Sequence, residues 1–207
     1  GSGVSSGIIS TALTDPNDPT RYMTSSVDFD ELQAMNDEVY AWIEVPGTVI
    51  NYAVVQSATD DLFYINHAVD KSYFSGGSIF SQRYNTTTFQ DSVLYGHNSR
   101  SQAMFAQLNN FADASFFEQN QSIYIYTPEK VYEYQISAAY PHSSDHLLLC
   151  NDFNDPDQFA AYFDSLADGV NCNYRRDLFP QFGDKVLTLS TCYRQNRTQR
   201  FLVQGVL

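Results

Sequence analysis

Short apolar runs of β-forming residues, broken by turn residues, occupy most of the chain after residue 27. Val39 to Ile43 and Val49 to Val55 flank the turn Val45-Pro46-Gly47-Thr48. Ser78-Ile79-Phe80 and Ser92-Val93-Leu94-Tyr95 predict buried strands, the second leaving through Gly96-His97-Asn98. Ser122 to Tyr126 and Val131 to Tyr140 predict a hairpin about Thr127-Pro128-Glu129-Lys130. The last two runs are Val186 to Cys192 and Arg200 to Leu207. Between them the period lengthens. Phe29, Leu32 and Met35 share one face of a helix that Asp28 or Ser26 can cap and that ends near Asn36. Asp60 to Asn66 allows one or two helical turns. Met104, Phe105, Leu108 and Phe111 fall at helical spacing. Pro156 opens a helix to about Ala167, with Phe159, Tyr162, Phe163 and Leu166 as its buried stripe and Gly169 as its stop. About eight short strands with inserted helices predict a mostly β barrel or rolled sheet with peripheral helices.

Residues 1–27 lack this patterning. Rich in Ser, Thr, Gly, Pro and Asp, they read as a flexible lead-in, with Gly1-Ser2-Gly3 an expression scar. Residues 28–207 then form a single domain. At 207 residues the chain is long enough for one sizeable core, and 43% hydrophobic residues against 17% charged ones mark it as globular. The formal net charge of −13 argues against nucleic acid as a partner, because phosphates demand a basic surface. No apolar run is long enough to span a bilayer. The three cysteines, Cys150, Cys172 and Cys192, form no CxxC motif, which disfavours thioredoxin chemistry and a zinc knuckle. Cys150 and Cys172 read as small apolar fillers, with a disulfide between them left open.

Chemistry gathers at strand ends. A cysteine inside a strand is usually a buried filler, but Cys192 closes its strand. The polar loop Tyr193-Arg194-Gln195-Asn196-Arg197 follows it, and nearby cations favour the reactive thiolate. Arg200 opens the next strand, where a permanently charged guanidinium can hold a carbonyl oxygen or a developing oxyanion. A thiol nucleophile needs a proton partner. His97 is the best placed of His67, His97, His142 and His146, because it too closes a strand, just past a glycine that permits close backbone approach. His142 and His146 sit four residues apart without a third ligand in register, so no metal site is assigned. The order His, Cys, Arg departs from the Cys, His, Asn order of papain-like proteases, and the caspase signature is missing.

These segments resemble a known family. Thr188-Leu189-Ser190-Thr191-Cys192, followed by Arg200-Phe201-Leu202-Val203, is similar to the active-site strands of sortases, the cysteine transpeptidases of Gram-positive cell surfaces. Tyr95-Gly96-His97-Asn98 matches the sortase histidine segment. Asn36 to Gln56, Asn66-His67 through Gly77-Ser78-Ile79-Phe80, and the helix at 156–167 look like class B. The resemblance implies an eight-stranded sortase-type β-barrel with an N-terminal helix and peripheral helices. It also implies Cys192, His97 and Arg200 as catalytic residues, with Ser190, Thr191, Asn98 and Tyr193 as substrate contacts, and no cofactor or metal. The implied reaction cleaves a C-terminal sorting signal, typically an Asn-Pro pentapeptide, after its Thr. The protein then passes to an amine of a peptidoglycan precursor or, in a pilin polymerase, to a pilin lysine. The enzyme would work at the extracellular face of the membrane, anchored through an N-terminal segment. A binding module with an incidental thiol is the competing reading. Some class B members carry an acid just after the cysteine, where this chain has Tyr193 and Arg194. Relatives often carry an Asp after the segment here reading Ile79-Phe80, and this chain has Ser81-Gln82-Arg83.

Overall fold

The computed structural model describes residues 20–21, 27–85, 87, 89, 91–143, 154–166 and 172–207. Its strands are β1 (Thr20–Arg21), β2 (Val39–Glu44), β3 (Asn51–Val55), β4 (Ile79–Phe80), β5 (Asp91–Tyr95), β6 (Ser122–Tyr126), β7 (Val131–His142), β8 (Asn173–Tyr174), β9 (Val186–Cys192) and β10 (Arg200–Val206). Eight of them close a barrel in the order β7-β10-β9-β5-β4-β3-β2-β6, with β6 pairing back to β7. The short strands β1 and β8 add to β7 outside that circuit. The expected eight-stranded barrel is therefore present. Closure leaves it no free edge.

Most neighbours are antiparallel, but β3–β4 and β5–β9 are parallel. The second of these matters most here. Its register matches Tyr95 with Ser190, so the next residues of both strands leave the barrel at the same end. Inside, Ile43, Val54, Leu94, Ile125, Leu187, Leu189, Phe201 and Val203 fill the core. A buried Leu, Ile, Val or Phe contributes roughly 1.5–3 kcal/mol, which makes this interior the main source of stability.

Among the described residues three α-helices lie outside the barrel. In α1 (Phe29–Met35) Asp28 is the cap, its carboxylate accepting from the Glu31 N–H at 3.0 Å. Phe29 and Leu32 are buried as the periodicity predicts, while Met35 is half exposed. α2 (Ala114–Gln119) is capped by Asp113 in the same way. α3 (Pro156–Leu166) buries Phe159, Phe163 and Leu166 against Val93, Tyr140, Val186 and Leu202. Gly169, the expected stop, lies outside the described residues. The stretch after Met104 differs from the expectation in helix type: residues 106–112 form a 3-10 helix. Phe105, Leu108 and Phe111 are spaced by three, which suits three residues per turn. The Asn109 side chain also donates to the Ala106 carbonyl at 3.1 Å, competing with an α-helical bond there.

Of the expected lead-in, Thr20–Arg21 pairs with Val131 and Tyr132, and Val27 is buried beside Phe29 and Leu32. The remainder of that segment lies outside the described residues, as do His146 and Cys150. Cys172 is a free thiol.

Candidate active site

Residue alternation along β9 decides what faces where. On the β10 side, Ser190 pairs with Leu202 and Cys192 with Arg200, whereas Thr191 pairs with Phe201. Phe201 belongs to the barrel core. The two-residue period therefore turns Ser190 and Cys192 outward and Thr191 inward. The outward pair borders a groove of about 260 Å³, whose lining also includes His97, Arg200, His142 and Tyr95. Leu62, Ile65, Phe80, Val93 and Leu202 give it an apolar wall.

Parallel pairing brings His97 to the thiol. His97 is two residues past Tyr95 and Cys192 is two past Ser190, so the register sets them side by side at the strand ends. The Gly96 N–H continues the ladder by donating to the Ser190 carbonyl at 3.2 Å. Gly96 cannot carry a side chain here. A Cβ would lie 2.6 Å from Ile79 Cδ1 and 2.7 Å from Phe105 Cγ. The His97 ring is fixed by a 2.5 Å hydrogen bond between Nε2 and the Ile65 carbonyl. A carbonyl only accepts, so Nε2 is the protonated nitrogen in this hydrogen bond. Gly77 backs this arrangement. It holds φ +63°, and a Cβ there would meet the Ile65 and Tyr64 carbonyl oxygens at 2.6 Å.

Arg200 reaches the thiol directly, with Nη1 3.5 Å from Cys192 Sγ. On its other side the ladder pairs it with His142, whose Nδ1 donates to the Ser143 carbonyl at 2.9 Å. His142, weighed from the sequence behind His97 as a proton partner and as half of a metal pair, is thus a groove residue.

Two asparagines hold the cysteine backbone. β5 ends at Tyr95, and at Cys192 side-chain amides take the place of its next N–H. Asn98 Nδ2 and Asn109 Nδ2 both donate to the Cys192 carbonyl at 3.2 Å. Asn109 is buried, and its Oδ1 accepts from the Arg194 N–H at 2.8 Å. Its amide therefore anchors the residue after next as well. Sequence reasoning missed Asn109. The signal was a polar residue on an otherwise apolar helical face, a position that buries an amide only when it is fully hydrogen-bonded. The Ile65 carbonyl is a backbone group and has no signature in side-chain type.

The four expected substrate contacts fall at different places around Cys192. Tyr193 is buried, its ring stacked on Phe201 with centroids 5.6 Å apart, because it shares the inward side of the alternation with Thr191. Thr191 borders the groove but is itself buried. Asn98 uses its amide on the Cys192 carbonyl and lies on the other side of that residue, among Ser99, Arg100, Gln102, Arg194 and Arg197. Ser190 lines the groove as well and is likewise buried, 4% exposed. Among the described residues no carboxylate is bonded to His97, whose Nε2 partner is the Ile65 carbonyl. Residues 92–112 and 185–207, which carry these groups, contain no Asp or Glu. Burial raises the Tyr95 phenol to about 12, so it stays neutral and lines the groove as an uncharged hydroxyl.

Comparison with known proteins agrees with this geometry. The sortase domain family matches residues 43–207. Sortase B of Listeria monocytogenes is 28% identical over 181 residues, covering 86% of this chain and 72% of that protein. The crystal structure of Clostridium perfringens sortase B superposes with a TM-score of 0.77 at 28% identity, covering 86% of this chain and 98% of that one. A class B sortase of Streptococcus pyogenes involved in pilus biogenesis gives 0.74 at 32% identity, covering 87% and 97%. The Staphylococcus aureus sortase B–substrate complex gives 0.75 at 26% identity, covering 86% and 83%. Among the described residues no helix is long and apolar enough to cross a membrane. The barrel with its parallel β5–β9 pair, the thiol and guanidinium facing each other across β9 and β10, and these matches lead to one conclusion: the chain belongs to the sortase family of cysteine transpeptidases, within class B.

Proposed function

We propose that this enzyme cleaves a C-terminal sorting signal after its Thr and transfers the upstream protein to an amine of a cell-wall precursor. The observation that carries this reading is the Cys192 thiol 3.5 Å from Arg200 Nη1 at the end of an apolar groove that His97 also borders. Cys192 is the nucleophile. Its thiolate adds to the Thr carbonyl carbon, and the negative charge moves to the carbonyl oxygen. Arg200 stabilises that oxyanion with a charge that does not titrate at working pH. His97, as imidazolium, gives its Nδ1 proton to the departing amine as the C–N bond breaks. The product is a thioester on Cys192. An incoming amine then attacks the same carbon, its surplus proton returns to His97, and the thiolate leaves.

The apolar groove wall suits the side chains of an extended peptide, and Ser190 offers a hydroxyl beside the thiol. An Asn-Pro pentapeptide is the substrate we assign, as for class B generally. The enzyme works at the extracellular face of the membrane, held by an N-terminal anchor. A pilin lysine as acceptor is the second reading, favoured by the likeness to the Streptococcus pyogenes enzyme involved in pilus biogenesis.

Mass spectrometry of the protein mixed with a panel of Asn-Pro peptides tests the reading. The expected result is a mass increase on Cys192 equal to the peptide up to its Thr, chased by added amine and lost in Cys192→Ala. Transfer only to a pilin lysine selects the second reading. No adduct with any peptide overturns both.

A further inference from the structure

Cys192 borders two openings. One is the groove described above. The other, on the far side, is a shelf formed by Asn98, Ser99, Gln102 and three arginines: Arg100, Arg194 and Arg197. The protein as a whole carries 24 acids against 11 Lys and Arg. Three of those cations line this shelf and a fourth, Arg200, lines the groove. Arg100 and Arg197 have no ion-pair partner among the described residues, where ion pairs join Lys71 to Glu38 and Arg83 to Asp61. Arg194 is steadied by neutral groups: its Nη2 donates to Gln102 Oε1 at 3.1 Å and to the Ala106 carbonyl at 3.3 Å. The segments that build the shelf, 92–112 and 185–207, hold no acid. A cationic patch with no acid paired to Arg100 or Arg197 among the described residues, on so acidic a protein, stands out as a site for a negative ligand.

We propose that this shelf binds the second substrate: an amine acceptor that carries an anionic group, carboxylate or phosphate, close to its nitrogen. The inference rests on the transpeptidase reading, in which the acyl chain occupies the apolar groove and the acceptor approaches Cys192 from the open side. The arginine forks hold the anion, since guanidinium matches both carboxylate and phosphate oxygens. Fixing the anion there presents the neighbouring amine to the thioester carbon. The nitrogen forms its bond to that carbon, the C–S bond breaks, the electron pair returns to Sγ, and the ammonium proton passes to His97. Because the arginines are exposed, the attraction is screened by salt.

The test uses the thioester formed with a sorting peptide that gives the Cys192 adduct. Glycine and 2-aminoethyl phosphate are compared with their neutral counterparts, glycinamide and ethanolamine. The readout is the ratio of amide product to hydrolysis product from the same thioester. We expect the anionic acceptors to be preferred about tenfold at low salt, and the preference to shrink as salt rises to about 0.5 M. Arg100→Gln with Arg197→Gln should reduce the preference about five- to tenfold, and Arg197→Glu should reduce it further, both side chains being exposed and outside the core. Whichever anion gives the larger preference identifies the group the shelf takes. Equal transfer to charged and neutral acceptors overturns the proposal, as does a preference that survives both variants. Absence of any thioester would instead overturn the transpeptidase reading, so the two failures are distinguishable.

Discussion

The amide pair on the Cys192 carbonyl makes a demanding prediction. Asn98→Ala removes one 3.2 Å hydrogen bond and leaves the other. Its cost should be about 1 kcal/mol. Asn109→Ala removes three, to Ala106 O at 3.1 Å, Cys192 O at 3.2 Å and Arg194 N at 2.8 Å, from a buried site. That should cost about 2–3 kcal/mol. In the double variant the Cys192 carbonyl loses both side-chain donors. A part-buried carbonyl left without either donor carries a desolvation penalty that neither single variant incurs, so the pair should cost about 1 kcal/mol more than the two singles together. Urea denaturation of the four proteins measures this coupling. The same displacement moves the thiol relative to His97 and Arg200. The single-turnover rate of thioester formation should fall about tenfold in either single variant and about a hundredfold or more in the double. If the double variant is additive within about 0.5 kcal/mol, the two amides do not share the carbonyl and the explanation of how Cys192 is positioned is wrong.

Other perturbations test neighbouring parts of the same structure. Gly96→Ala drives a Cβ to 2.6 Å from Ile79 Cδ1. It should cost about 1–3 kcal/mol, seen as a lower Tm, and should slow thioester formation because His97 is the next residue. Asp91 is held above the ordinary carboxylate range by burial, which a hydrogen bond from the Val186 N–H only partly offsets, and its Oδ1 has no partner. The folded state therefore keeps its proton to higher pH than the unfolded chain, and wild-type stability falls as pH rises through that interval. Asp91→Asn should melt higher than wild type at neutral pH, the gap closing in acid where both side chains are neutral; an equal gap at every pH would contradict this. Burial pushes the Cys172 thiol up to about 11, so peptide mapping after iodoacetamide at neutral pH should find Cys172 unlabelled, with labelling growing only as the pH nears that value. Glu38 accepts from the Tyr64 hydroxyl at 2.6 Å and the Ala58 N–H at 2.8 Å, tying down the segment that carries the Ile65 carbonyl. Glu38→Ala should increase amide hydrogen exchange across residues 57–66 and slow thioester formation, with Arg200 and Cys192 unmoved.

The sequence by itself determined the elements and their ends. Two-residue alternation marked the strands, and the caps and stripes marked α1 and α3. The placing of Cys192, His97 and Arg200 at strand ends was legible because each follows or opens an apolar run. Alternation reports that a strand has two faces. It does not say which one lines a groove, and so Tyr193 could not be separated from Ser190 before the ladder to β10 was known. Spacing by three at Phe105, Leu108 and Phe111 was visible too, but the Asn109 side-chain bond that accompanies the 3-10 helix was not.

Tertiary structure decided the rest, because the remaining contacts join residues far apart in the chain. Parallel pairing of β5 with β9 brings His97 beside Cys192, 95 positions later in the sequence. A parallel partner is selected by long-range closure of the barrel, and local patterning carries no record of it. The Ile65 carbonyl on His97, the two amides on the Cys192 carbonyl and the gathering of Arg100, Arg194 and Arg197 on one shelf arise in the same way. Each depends on which loops the closed barrel brings to one end. Local sequence chose the chemical groups, and the register of two parallel strands chose their neighbours.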